Sequence, residues 1–327
     1  MRKINGVPVE AHTDLSSLTG GEVLKWSGTN MAWEDQDSTG FVPTPVWQGV
    51  NYGYSMGGSG TNIIEKYSFT SDGNATDVAD LTQARSGAAG TSSSTHGYCS
   101  GGYTGSNVNT IDKFSFSAGS NSTDVGDITF SHRGMGGHTS PTHGYTSGGE
   151  SADSTYQNII DKFSFSSDGN ATDVGDITVA RYGICGNAST ISGYSSGGNH
   201  NNKNIIDKFS LSSDANSTDV GDLVVDVGFG AGAASEDNAY QLGGAGAGYF
   251  SDVQKISFSS DSNATDVANM TAGGQGISGT SSTTHGYASG AENRYTVIDK
   301  FNFSTEANGT DVGDLTSNRG DAAGSQY

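Results

Sequence analysis

The tightest constraint on this chain is that it writes one sentence repeatedly. "IDKFSFSSDGNATDVGDIT" at 160–178 returns as "IDKFSFSAGSNSTDVGDIT" at 111–129 and as "IDKFSLSSDANSTDVGDL" at 206–223. A tyrosine-centred segment precedes each copy: "YGYSMGG" (52–58), "HGYCSGG" (96–102), "HGYTSGG" (143–149), "SGYSSGG" (192–198), "NAYQLGG" (238–244) and "HGYASGA" (285–291). The central tyrosines are Tyr54, Tyr98, Tyr145, Tyr194, Tyr240 and Tyr287, spaced 44, 47, 49, 46 and 47 residues apart. A period of this length marks a solenoid, a propeller or another array.

Each unit divides into four short strands. The first is small, as in "RSGAAGTSSS" (85–94), and the second is the tyrosine segment. The third alternates: in "NIIDKFSFSS" (158–167), Ile160, Lys162 and Ser164 fall on one side and Asp161, Phe163 and Phe165 on the other, the pattern of a half-buried strand. The fourth, "ATDVGDIT" (171–178), follows a tight "SDGN" turn. No stretch of ten residues has helical periodicity. Four strands per period, six times over, predict an all-β, six-bladed β-propeller, with small first strands crowding the axis. The segment "LTSNRGDAAGSQY" (315–327) matches "LTQARSGAAGTSS" (81–93) but has no blade of its own, whereas "PVWQGVNYGY" is a poor first strand. The ring is therefore expected to close by pairing Arg319–Tyr327 with Asn51–Gly58, which leaves no open sheet edge. Phe163 and its equivalents Tyr67, Phe114, Phe209 and Phe301 are expected to be buried.

The matching parts are an arginine entering the first strand (Arg85, Arg133, Arg181, Arg319), a Tyr-x-x-Gly-Gly second strand, and a third strand ending in an aromatic before a turn. On these, residues 46–327 resemble the kelch-type propeller. The tryptophan that kelch repeats carry in the fourth strand is replaced by Val78, Val125, Val174, Val220, Val267 and Val312. Kelch folds host both enzymes and binders, so the resemblance does not choose a function.

Residues 1–45 lie outside the repeat. "GEVLKWSGTNMAWED" (21–35) reads as a hairpin with a "SGTN" turn, and Trp26, Trp33 and Trp47 are the chain's three tryptophans. About twenty residues here resemble modules of tail-fibre and other virion proteins of bacteriophages, marine ones especially. A lone two-stranded hairpin is marginal, so the resemblance implies attachment through Leu24, Trp26 and Trp33 to other virion proteins or to further copies of the chain, a trimer being one such form. It also implies a place on the extracellular phage particle. The plainer alternative is a cap on the first blade.

With 15 basic and 35 acidic residues the net charge is −20, which disfavours nucleic-acid backbones. Neither a secretory h-region nor an apolar run of membrane-spanning length is present, so membrane insertion is not expected. Cys99 and Cys185 fall at different places in the repeat and read as small buried residues.

The repeat holds no plausible catalytic centre. His96, His143 and His285 recur at one blade position, too far apart around a ring to share an ion. The "SDGNATD" turn (71–77) faintly resembles a calcium loop but lacks the distal glutamate. Asn74, Asn121, Asn170, Asn216, Asn263 and Asn308 spell Asn-x-Thr and read as turn chemistry. Symmetric aspartates cannot supply the two unlike carboxylates of a glycosidase. Neither a cofactor nor a metal is expected.

What varies is the loop between strands 2 and 3, which carries Tyr103, Tyr156, Tyr249, Phe250, Arg294 and Tyr295. It opens on the same face as the loop from strand 4 to the next strand 1, with Arg85, His132, Arg133, Arg181 and Arg319. Variable loops on a rigid frame are where recognition usually sits. The expectation is a phage virion protein of tail-fibre, spike or head-fibre type, whose propeller binds a host-surface glycan or protein. Alternatives are a decoration or connector subunit packed on its neighbours, and a carbohydrate-active enzyme.

Overall fold

The computed structural model describes residues 3–4, 7–8, 23–26, 31–34, 48–199, 204–292 and 296–326. The chain forms two compact units, Met1–Thr44 and Pro45–Tyr327. In the first, Lys3–Ile4 pairs with Val7–Pro8, and Val23–Trp26 with Met31–Glu34. The expected hairpin thus forms, with Leu24 opposite Trp33 and Trp26 opposite Met31. Its "SGTN" turn lies outside the described residues, as do Arg294 and Tyr295.

The second unit is a six-bladed β-propeller of four-stranded antiparallel sheets, and no helix occurs among the described residues. In blade 3 the strands run outward from the axis as Gly136–Thr139, His143–Ser147, Ile159–Ser164 and Thr172–Asp176. Blade 1 uses Tyr52–Met56, Ile63–Ser68 and Thr76–Asp80, and takes its inner strand from Ala323–Gln326. Ala323 pairs with Met56 and Gln326 with Gly53, the closure expected from the sequence.

Two closed rings of backbone surround the axis. The second residue of every inner strand is glycine. A Cβ on Gly90 would stand 2.0 Å from the Gly324 oxygen, and one on Gly324 would stand 2.0 Å from the Gly279 oxygen. The same clash passes from blade to blade around all six. Nearer the blade entrances, the N–H of residue 134 donates to the carbonyl of 87, 183 to 134, 229 to 183, 276 to 229, 321 to 276 and 87 to 321, at 2.7–2.8 Å. This second ring holds its residues at positive φ, from 57° to 68°.

The apolar core lies between blades. The tyrosine and third-strand Ile of one blade meet the aromatics of the next: Tyr98 and Ile111 pack with Phe163 and Phe165, and Tyr240 with Phe301 and Phe303. Tyr67, Phe114, Phe163, Phe209 and Phe301 are each 3% exposed or less, as expected. The third strand keeps the expected alternation from Asp161 to Ser164, but Ile159 and Ile160 are buried as well. Blades pack on both faces, and the outer strand carries an extra residue, Val174, where the register shifts at Ile160/Asp161. Cys99 and Cys185 are buried free thiols, and burial pushes their pKa values up to about 11 and about 12.

The repeated turns staple blades together, which corrects their reading as simple turn chemistry. Each Asn-x-Thr asparagine accepts the N–H of the last outer-strand residue of the preceding blade. Asn121 takes Asp80, Asn170 Asp127, Asn216 Asp176, Asn263 Asp222, Asn308 Asn269 and Asn74 Asp314, all at 3.1 Å. The turn acids also bridge blades, pairing with the preceding blade's third-strand lysine, as in Lys113–Asp168 and Lys162–Asp214 at 2.8 Å.

Candidate functional site

The loops between strands 2 and 3 share a face with the connectors entering each blade. Ser86 bridges Tyr103, Tyr182 bridges Asn199, Gly228 bridges Ala245, and Arg133 pairs with Glu150. At the centre of this face lies a depression of about 190 Å³, lined by Ser86, Gly87, Arg133, Gly134, Tyr182, Phe229, Gln275, Glu292 and Asp321. Its aromatic wall is continuous: Tyr156 stacks on Tyr182 at 4.9 Å and 15°, and Tyr182 meets Phe229 edge-on at 5.2 Å. Its charged wall holds Arg133, whose Nη2 lies 2.9 Å from Glu150 and whose guanidinium sits 5.0 Å over the Tyr103 ring. Gln275 donates to the Glu292 carboxylate. Desolvation, and secondarily Glu292, pushes the Asp321 carboxyl above its usual range, while Arg133 opposes.

Phe229 and Asp321 belong to the hydrogen-bonded ring whose other members are Gly87, Gly134, Gly183 and Gly276. Those glycines have φ of 65° to 68°; Phe229 stands at 60° and Asp321 at 57°. The left-handed region costs an L-residue about 1–2 kcal/mol. Two of six copies therefore carry strain that glycine would remove, and both project side chains into the depression.

The six site residues named from sequence separate here. Tyr156 joins the aromatic wall. Tyr103, 39% exposed, flanks it under Arg133. Tyr249 is half exposed, but Phe250 packs on the core around Tyr194, Val227 and Ile256. The blade 5 hairpin is longer than its copies, with strands Asn238–Ala245 and Tyr249–Ser257, and this turns Phe250 inward. Tyr182, Phe229, Gln275 and Asp321 were missed. Their signal was present, since Phe229 and Asp321 interrupt a repeated glycine, but it shows only when the connectors are aligned copy against copy.

The arginines expected on this face are inside instead. Arg85, Arg181 and Arg319 pair with Asp112, Asp207 and Glu65, all side chains 0% exposed. The Arg319 Nε–Glu65 Oε2 pair, at 2.9 Å, is an ion pair without hydrogen-bond alignment. Arg133 is not their equivalent: aligned connectors place His132 there, fully buried, with neither ring nitrogen hydrogen-bonded. His96, His143 and His285 each hydrogen-bond the preceding threonine hydroxyl through Nδ1 at 2.8 Å. Desolvation holds all three below the usual histidine range.

No model of a known protein family matches the sequence, and no curated protein matches it significantly.

Proposed function

We infer that this is a recognition protein, a propeller that presents the Tyr156–Tyr182–Phe229 depression to a glycan or peptide on a host surface. Strain at Phe229 and Asp321 carries this reading. Backbone strain clusters where a side chain is needed for function, and here it places an aromatic ring and a carboxylate on the lining of one depression. Aromatic faces stack on the apolar faces of sugars, while Arg133, Gln275, Glu292 and Asp321 offer donors and acceptors for hydroxyls. Residues 48–49 meet the ring at the opposite ends of the inner strands: Gln48 donates to the Ala234 carbonyl and the Gly49 N–H to that of Ser281. The kelch kinship, the phage virion setting and attachment through Leu24, Trp26 and Trp33 belong to this proposal; they rest on sequence resemblance.

The test is binding of the purified protein to immobilised bacterial surface polysaccharides and intact cells. Tyr182→Ala and Phe229→Gly should each weaken binding at least tenfold, while Asp168→Ser on the opposite face should leave it unchanged. Binding that survives both changes would remove the depression from the reading, and burial of this face in an assembled particle would favour the connector alternative. A second reading, glycoside hydrolysis, is favoured by Asp321, a carboxyl of raised pKa beside the exposed Glu292. New reducing ends released from the same polysaccharides would establish it.

A further inference from the structure

The repeat provides its own control for a second site. At five of the six blade junctions the third-strand lysine reaches an acid on the next blade's outer turn. The pairs are Lys113–Asp168, Lys162–Asp214, Lys208–Asp261, Lys255–Glu306 and Lys300–Asp72. At the sixth, between blades 1 and 2, the turn reads "SAGS" (117–120) and the position of the acid is Gly119. Lys66 is kept, and no acid among the described residues pairs with it. Its Nζ lies 4.6 Å over the Tyr52 ring.

The missing side chain leaves space. A cavity of about 250 Å³ opens at this junction, lined by Tyr54, Lys66, Val78, Ala79, Phe114, Ser115, Phe116, Ser117, Ala118 and Gly119. Its walls are partly apolar, through Val78, Ala79 and Phe114, with Phe116 stacked on Tyr54 at 5.0 Å. Its mouth holds one cation and two serines. A half-buried ammonium without a counter-charge attracts an anion more strongly than a solvated one, because the local dielectric is lower. Ligand pockets of this kind pair apolar walls with a few placed polar groups, and drug-sized ligands occupy about 300–1,000 Å³. This cavity therefore fits a single ring.

We propose that the blade 1–blade 2 junction binds a carboxylate borne on one ring, with Lys66 taking the place of the lysine and the ligand that of the absent acid. The site is separate from the recognition depression and does not depend on that assignment. Uronic acids and aromatic acids share this chemistry. The apolar walls accept either ring, and the two probes distinguish them.

The experiment is calorimetric titration of the full chain with sodium glucuronate, sodium benzoate and, as the uncharged control, glucose. At least one carboxylate should bind, weakening as salt rises, and glucose should not. Lys66→Gln should reduce binding at least tenfold. The decisive variant is Gly119→Asp, which restores the acid the other junctions carry. Gly119 has φ +56°, tolerated by aspartate, and a Cβ there meets no atom within 4 Å. It should abolish binding in a protein that stays folded, with the melting temperature lowered at most slightly by the left-handed φ. Absence of binding by both carboxylates, or binding unaffected by Gly119→Asp in a folded protein, would overturn the proposal.

Discussion

Acid should unfold this propeller through two histidines. His132 and His138 are each 1% exposed, and desolvation lowers both pKa values from 6.5 to about 4. His138 is held by hydrogen bonds of 2.9 Å to the Asn187 carbonyl oxygen and to Ser147 Oγ, whereas neither nitrogen of His132 is hydrogen-bonded. A histidine with a lowered folded pKa binds its proton in the unfolded state first. Its stabilising contribution is complete above pH 6.5 and is lost as pH falls toward 4. Between pH 7 and pH 4 the loss is about 3 kcal/mol per histidine, or about 6 kcal/mol for both. That is a large part of the stability of an ordinary domain. Asp161 and Asp321, whose carboxyls burial raises, act in the opposite direction over this range. The measurement is therefore a difference between proteins. The repeat supplies the replacements: His132→Val copies buried Val227 of blade 5, and His138→Asn copies Asn187 of blade 4. Urea titrations at pH 7, 5.5 and 4 should show the double variant losing about 6 kcal/mol less than the wild type. The tryptophans lie at 26, 33 and 47, so far-UV dichroism or tyrosine absorbance should follow the propeller. Parallel pH profiles for the two proteins would refute the argument.

Closure should respond to both ends of its contact. Deleting 319–327, or adding a Cβ with Gly324→Ala where the Gly279 oxygen lies 2.0 Å away, should lower the melting temperature sharply; overpacking alone costs about 1–3 kcal/mol. An unchanged melting curve for either would contradict the ring. His132→Arg should rebuild in blade 3 the buried ion pair of blades 1, 2 and 4, bringing Asp161 back below its present raised pKa, as carboxyl titration by NMR would report. Asp161 still raised would mean that the arginine does not reach it. Asp321→Gly should stabilise the protein by about 1 kcal/mol through relief of the left-handed conformation while weakening ligand binding. Because the folded pKa of Asp321 is raised, its contribution is lost as pH rises, so the gain should be greater at pH 7 than at pH 3. An equal gain at both would exclude the ionisation part.

The fold was legible because the same physical problem is solved six times. Period-2 apolar residues, the spacing of Tyr54 through Tyr287 and the unattached first strand at 315–327 sufficed for blade number and closure. The side-chain roles were less legible. An arginine before an inner strand looks like a loop residue until Asp112, Asp207 and Glu65, 27, 26 and 254 residues away in sequence, prove to bury it. The Asn-x-Thr asparagines look like turn formers because the N–H donors they serve lie on another blade. Phe250 looked free because sequence does not show that its hairpin is extended.

Departures from the repeat differ in kind, and the difference bears on the two proposed sites. In blade 5, Val227 replaces the arginine and Gln254 replaces its acid, so a buried charge is never left alone; such paired replacement is what folding alone requires. In blade 3 only the arginine is lost, and Asp161 is retained by Thr129, whose N–H and hydroxyl reach it at 2.9 and 2.7 Å. That acid is satisfied, though at a raised pKa. At Gly119 an acid is lost and its lysine is kept, while at Phe229 and Asp321 a glycine is lost and its backbone conformation is kept. Among the described residues neither departure has a counterpart that repairs it. A ring of near-identical blades has ready solutions at both positions in its own other copies, so an unrepaired departure is best explained by something that binds there.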